Sequence, residues 1–346
     1  MMRAVGYRET GPIDKLEALI DVELPIPSIT DANSRDLLVK VHAVSVNPVD
    51  TKVRSGAIPL PADPVRVLGY DAAGIVEQVG TGCQGSFKKG DSVYYSGSLI
   101  RAGTNAEYHL VDERIVGHKP PSLTMAEAAA LPLTTITAYE MLFERLDICG
   151  SKRPPAGGDT LLIIGGAGGV GSMAIQLARV LAPDMTIIAT ASRDETEDWV
   201  RGLGAHHIIN HRQPMAPQFK EKGLKAPGYV FSTTHTKDHL HDIVELMPPQ
   251  SKLGMIDDTD VLNVMALKKK SISFHWELMF TRPLFETPDM DEQGKLLDKV
   301  SKLVEEGKIK STATVTAGKI NAETLINAHT VIESHKAKGK IVLEGF

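Results

Sequence analysis

A chain of 346 residues, 42% hydrophobic and 23% charged, with a formal net charge of -5, has the composition of a globular protein of two domains that buries its core without covalent staples. The negative balance and the lack of a Lys/Arg block weigh against nucleic acid or an anionic membrane as partner, and no apolar run reaches the ~18 residues of a membrane span. The two cysteines, Cys83 and Cys149, lie far apart, which excludes a disulfide framework and a four-cysteine zinc site. With no apolar leader in MMRAVGYRETGP, a cytoplasmic location is expected.

The first part of the chain reads as β-rich. Runs over 37–44, 72–79, 92–95 and 106–111 are β-branched or alternating, and Gly and Pro separate them, as in a barrel or sandwich. Beyond Pro120 and Pro121 the pattern changes. Residues 124–130 favour a helix behind a Ser122 or Thr124 cap. Strands are then predicted over 160–164, 186–190, 207–209, 229–231, 252–256 and 271–274, with helices over 170–181 and 195–203 between them. The run 160–164 is apolar throughout, as a strand buried on both faces must be. This alternation predicts a doubly wound parallel sheet of the Rossmann type. Helices over 291–306 and 322–334 and a closing strand over 339–343 complete the reading.

The sharpest motif is Gly166-Ala167-Gly168-Gly169-Val170-Gly171, a G-x-G-x-x-G between a buried strand and a helix. Glycines there permit a tight turn and a close approach to a pyrophosphate, and the helix N-terminus offers unpaired N–H groups to that anion. No Gly-Lys-Ser/Thr follows, so an ATP loop is disfavoured. The second strand ends Thr190-Ala191-Ser192-Arg193, with no acid at its tip to receive a ribose 2′-hydroxyl. Ser192 and Arg193 suit a 2′-phosphate instead, so the expected cofactor is NADPH; the alternative is that Arg193 is a solvated surface charge. His235, His239 and His241 are read as a solvated helix start, without the glutamate of an H-E-x-x-H site.

These features, with Val46-Asn47-Pro48-Val49-Asp50, Gly69-Tyr70-Asp71-Ala72-Ala73-Gly74, Ala106-Glu107-Tyr108, Ala130-Leu131-Pro132, Leu203-Gly204-Ala205 and Gly339-Lys340-Ile341-Val342-Leu343, resemble the medium-chain dehydrogenase/reductase superfamily. The nearest likeness is to its zinc-independent quinone oxidoreductases and zinc-type alcohol dehydrogenase-like proteins. The resemblance implies an α/β protein with a GroES-like β-rich catalytic domain over 1–127, a Rossmann domain over 128–280, and a segment over 281–346 that completes the catalytic domain. It also implies a site in the cleft between domains and a homodimer.

In the zinc enzymes of this superfamily, cysteine and histidine hold a metal. On motif alignment Asn47 and Tyr70 stand at two of those ligand positions, and the third falls near Leu133. Asn, Tyr and Leu are not a zinc set, so no metal is expected. Without one, the easier reaction is hydride transfer to a conjugated carbonyl, whose oxygen needs only hydrogen bonds and a proton source. Asn47 and Tyr70 are the expected donors. Lys52 is a further donor or a surface lysine, and Asp50 is read as orienting its neighbours. The resemblance places Thr137 against nicotinamide and His211 near the adenosine phosphate. Phe274, Trp276, Met279 and Phe280, with His275, are expected as an apolar substrate wall or as dimer core. The function read is an NADPH-dependent, metal-free reductase of quinones or α,β-unsaturated carbonyls. The rivals are a zinc-requiring alcohol dehydrogenase and an NADPH-binding protein with a structural or sensing role.

Overall fold

The computed structural model describes residues 1–31, 33–59, 64–150 and 155–346. In chain order its strands are β1 (Met2–Tyr7), β2 (Ile20–Leu24), β3 (Asp36–Val46), β4 (Arg66–Val67), β5 (Asp71–Val79), β6 (Ser92–Ser96), β7 (Tyr108–Asp112), β8 (Val116–His118), β9 (Thr160–Ile164), β10 (Thr186–Thr190), β11 (His207–Ile209), β12 (Tyr229–Ser232), β13 (Lys252–Met255), β14 (Ser273–Trp276), β15 (Ala313–Thr316) and β16 (Lys340–Glu344). Two compact units form, Met1–Ile136 with Phe280–Phe346, and Thr137–Met279.

In the first unit β3 is the organiser. It pairs antiparallel with β5, β7 and β16, and register shifts between Leu38 and Val39 and between Val41 and Ala43 bend it so that it serves all three. The sheet runs β15-β16-β3-β5-β6-β8, and a smaller one runs β2-β1-β4. The short helix Met125–Ala129 stays with this unit. Thr124 caps it by accepting from Glu127 N, and Ser311 and Thr312 donate to the carbonyls of Glu127 and Ala130 at 2.7 and 3.2 Å. The helix Pro48–Ser55, β1 and β2 were not foreseen; Asn47 and a proline in the first turn start that helix, and Gly56 in the left-handed region stops it.

In the second unit six strands lie parallel in the order β11-β10-β9-β12-β13-β14. The chain starts at β9, moves outward to β11, then returns across β9 to build the other half. That reversal between β9 and β12 is the topological switch point of a doubly wound sheet, where such folds bind ligands beyond the carboxyl ends of the strands. Leu162, Ile164, Ile188, Val230, Leu253 and Ile243 form the core against one face. The last strand begins at Ser273, two residues later than the sequence pattern suggested. Ser271 takes a left-handed conformation (φ 51°) and Ile272 N donates to Leu267 O at 3.2 Å, so these two residues close the preceding turn.

Candidate functional site

The glycine motif sits at the switch point. Gly168 caps the helix Gly169–Leu181, whose first amides have no intrahelical acceptor. Gly165 N donates to Thr190 Oγ1 at 3.0 Å, and Thr233 Oγ1 donates to Ile164 O at 2.8 Å, so the ends of β10 and β12 grip the turn from both sides. A Cβ on Gly171 would stand 2.3 Å from Gly165 O, and one on Gly166 2.9 Å from the Ala189 Cβ. Only glycine permits this closeness of turn, helix and sheet. Trp199 Nε1 donates to Ser172 Oγ at 2.9 Å and ties the next helix to this one. The cradle fits a dinucleotide pyrophosphate.

Ser192 and Arg193, both half-buried, follow β10, and Arg193 caps the helix Asp194–Gly202. Asp194 and Glu195 lie exposed in that helix's first turn, not at the strand tip. His211 follows β11. Burial and the nearby His239, Arg212, His235 and Arg193 push its imidazole down to about 4.

The first unit holds a buried polar cluster assembled from distant parts of the chain. Asn47 N donates to Asp50 Oδ2 at 2.8 Å, and Gly69 N to Asp50 Oδ1 at 3.0 Å, so Asp50 orients both turns that carry the site. Gly69 has φ 104°, which allows Tyr70 to follow so sharp a bend. The Asn47 amide donates to Asp71 Oδ2 at 2.8 Å and to Ser45 O at 3.3 Å, while its oxygen accepts from the Lys340 ammonium. Lys340 also donates to Val46 O at 2.9 Å and to Asp71 Oδ2 at 3.2 Å. Leu133 N fills the other Asp71 oxygen at 2.8 Å. Burial raises Asp71 and lowers Lys340, each toward neutrality, and their contact opposes both shifts. Burial also lifts Asp50 to about 7.

Asn47 therefore spends both amide hydrogens inside the unit, which corrects its expected role as donor to a substrate. Tyr70 differs. Its ring lies edge-on to Phe280 at 5.4 Å, and its buried hydroxyl has no hydrogen-bond partner among the described residues. Burial holds that phenol well above its ordinary range. Lys52 is half-buried on the helix Pro48–Ser55. Thr137 is buried in the helix Pro132–Tyr139. Of the expected wall, Phe280 joins Tyr70 in the first unit, while Met279 ends the second. Phe274 is partly buried and packs against the core cluster that includes Leu253, Leu267 and Ile272, and Trp276 is 53% exposed on the edge strand. Sequence reasoning passed over Asp71 and Lys340. Both stand in motifs that it quoted, Gly-Tyr-Asp and Gly-Lys-Ile-Val-Leu, but nothing local shows that residues so far apart pair.

A doubly wound domain with a glycine cradle and a separate β-unit holding buried polar residues together define a dehydrogenase of two-unit build. The chain belongs to the medium-chain dehydrogenase/reductase superfamily and is an oxidoreductase of that kind. Residues 33–134 match the alcohol dehydrogenase GroES-like domain, and 203–343 match the zinc-binding dehydrogenase family. A zinc-type alcohol dehydrogenase-like protein of Staphylococcus epidermidis is 38% identical over 347 residues, covering 99% of both chains. The 2-methylene-furan-3-one reductase of Solanum lycopersicum is 30% identical over 99% of this chain and 79% of its own. The solved structure of a presumed zinc-dependent alcohol dehydrogenase from Rhizobium etli superposes with a TM-score of 0.94 at 53% identity, covering 100% of this chain and 98% of that one. No helix among the described residues is long and apolar enough to cross a membrane.

The zinc in these names meets a donor set that does not suit it. Zinc takes thiolate, imidazole or carboxylate. Here the Asn47 oxygen and Asp71 Oδ2 already carry an ammonium, Tyr70 offers a phenol that burial keeps protonated, and Leu133 offers an aliphatic side chain. These residues do not fit a zinc ion.

Proposed function

We propose that the chain is an NADPH-dependent reductase that works without a metal and passes hydride to quinones or to the β-carbon of α,β-unsaturated carbonyls. The observation that carries this reading is the Tyr70 hydroxyl, a buried donor without a protein acceptor among the described residues. Buried polar groups are almost always paired, so an orphan beside an aromatic ring is ready for an oxygen that a substrate brings.

When bound, NADPH supplies a hydride from nicotinamide C4. As the β-carbon is reduced, an electron pair moves to the carbonyl oxygen, and the resulting enolate takes a proton from water. Tyr70 donates a hydrogen bond to that oxygen as its charge develops. Because burial keeps the phenol protonated, it stabilises the charge by donation and does not surrender its proton. Asn47, Asp50 and Lys340 hold the two turns on which Tyr70 depends. Lys52 is the second proposed donor, Phe280 the apolar wall beside Tyr70, and Thr137 a contact for the nicotinamide. Ser192 and Arg193 receive the 2′-phosphate. The tomato relative supports the substrate class, since its name describes a carbonyl conjugated to a methylene.

A homodimer is part of the reading. The free edge of β14, with Trp276 53% and Leu278 49% exposed, is the surface proposed for it, and sedimentation as a monomer at micromolar concentration would remove that element.

Metal analysis with a turnover assay tests the main reading. The purified protein is expected to lack stoichiometric zinc, to oxidise NADPH with small quinones or enones, and to keep that activity after chelation. One tightly held zinc per chain, with activity lost on its removal, would establish the alcohol dehydrogenase rival. Tight NADPH binding without turnover of any acceptor would favour a sensing role.

A further inference from the structure

Beyond β11 the chain turns through Asn210, His211 and Arg212, next to the segment that leaves β10. Ala191 N donates to Ile209 O at 3.0 Å, so Ser192 and Arg193 run beside Asn210 and His211. The turn is pinned: Asn210 Oδ1 accepts from Arg212 N at 2.9 Å, and Asn210 N donates to Gln218 Oε1 at 2.8 Å. Against it stands the start of the helix Thr236–Leu246. There His239 meets His211 edge to face, with ring centroids 5.9 Å apart. His235 caps that helix in the left-handed region (φ 51°), and its carbonyl accepts from His239 N at 3.2 Å. Nδ1 of His211 is buried and has no hydrogen-bond partner among the described residues.

The charges around His211 are all of one kind: His239 and His235 from the facing helix, Arg212 from its own turn, and Arg193 from the end of β10. Around His239 stand His235 on one side and Asp238, Asp242 and Asp257 on the other. A cluster of imidazoles and guanidiniums, one ring nitrogen of which is buried and unsatisfied, is built to receive an anion.

We infer that His211 and His239 are a proton-accepting pair for a phosphomonoester on the ribose of the bound dinucleotide, so that the phosphorylated cofactor binds together with a proton and the unphosphorylated one does not. This rests on the reading of Ser192 and Arg193 as a 2′-phosphate site. In the free protein burial and like charges keep both rings neutral. A dianion among them reverses the local field, and an imidazolium then gains a charge-assisted hydrogen bond. Arginine alone would hold the phosphate with a preference indifferent to pH. A histidine that charges on binding instead makes the preference for NADPH over NADH fall as pH rises, by up to about tenfold per pH unit for one proton.

Isothermal titration calorimetry of the whole protein tests this. NADPH and NADH are titrated near pH 7, each in two buffers of different ionisation enthalpy. There the phosphate's own second ionisation, with a pKa of about 6, releases protons and does not take them up. The expected result is a net proton uptake with NADPH that is absent with NADH, lost in His211→Gln and reduced in His239→Gln, with melting transitions checking that each variant is folded. Equal uptake for the two cofactors, or an NADPH-specific uptake that survives both substitutions, overturns the inference; the wild-type comparison stands without the variants. NADPH binding no tighter than NADH would instead overturn the cofactor reading beneath it.

Discussion

Lys340 donates to the Asp71 carboxylate at 3.2 Å from a strand 269 residues further along the chain, and both side chains are buried. Removing one partner of a buried ion pair strands the other, at a cost of about 3–5 kcal/mol. Lys340→Met is therefore expected to lower the unfolding free energy by that amount, read in urea unfolding as a lower midpoint with an unchanged denaturant slope. A loss of under about 1 kcal/mol, the value of an exposed pair, would show that the cluster is solvated.

Tyr70→Phe separates catalysis from stability. Deleting a donor to a developing oxyanion costs on the order of 10²–10³ in kcat. Deleting a buried hydroxyl that has no protein partner among the described residues removes a desolvation penalty of about 1–3 kcal/mol. The variant should turn over quinones and enones at least about a hundredfold more slowly while melting at the same or a higher temperature. Unchanged kcat would remove Tyr70 from the reaction.

Arg193→Ala addresses cofactor choice. A charge-assisted hydrogen bond to phosphate contributes about 1.5–3 kcal/mol, so the NADPH dissociation constant should rise roughly tenfold to a hundredfold. NADH binding should stay within a factor of about two, since the unphosphorylated ribose gives the guanidinium no anion to pair with. Fluorescence titration with both nucleotides reads the difference, and equal weakening of the two would mean a general loss of structure.

Acid stability should depend on His329. The ring is fully buried, neither nitrogen has a hydrogen-bond partner among the described residues, and burial with the neighbouring Arg54 pushes it down to about 3. Its folded pKa lies below the ordinary value of 6.5, so its contribution is present above that value and is lost as the pH falls toward about 3. Melting temperatures across this window should drop more steeply in the wild type than in His329→Leu. Parallel curves would mean that the histidine charges freely in the native state.

Most of the fold was legible because its signals are local. The apolar run that became β9, the glycine turn after it and the helix Gly169–Leu181 are contiguous, and each announces its neighbour. The parallel, doubly wound character of the second unit follows from that alternation, while its strand order is seen only in the fold. β1 and β2 escaped notice because the runs are short and β2 buries neither face fully. At the candidate site, Tyr70 and Asn47 stood out as residues of unusual type at aligned positions. That Asn47 is already saturated while Tyr70 is not depends on Ser45, Asp71 and Lys340, and these pairings span 2, 24 and 293 residues. Hydrogen-bond saturation is a property of the folded neighbourhood and leaves no trace in a run of neighbouring letters. Likewise Phe274 reads by its type as substrate wall or dimer core, and only the fold shows it packed, partly buried, against the core of its own sheet.

The insertion of β16 between β15 and β3 sets a timetable for synthesis. Until the ribosome has delivered Lys340–Glu344, β3 lacks its partner on that side, and Asn47 and Asp71 wait for the ammonium that joins them. The parallel unit, continuous from Thr137 to Met279, has all of its strands in hand before then and is free to fold first. The nascent first unit thus carries an open strand edge on β3, which closes only when β16 arrives.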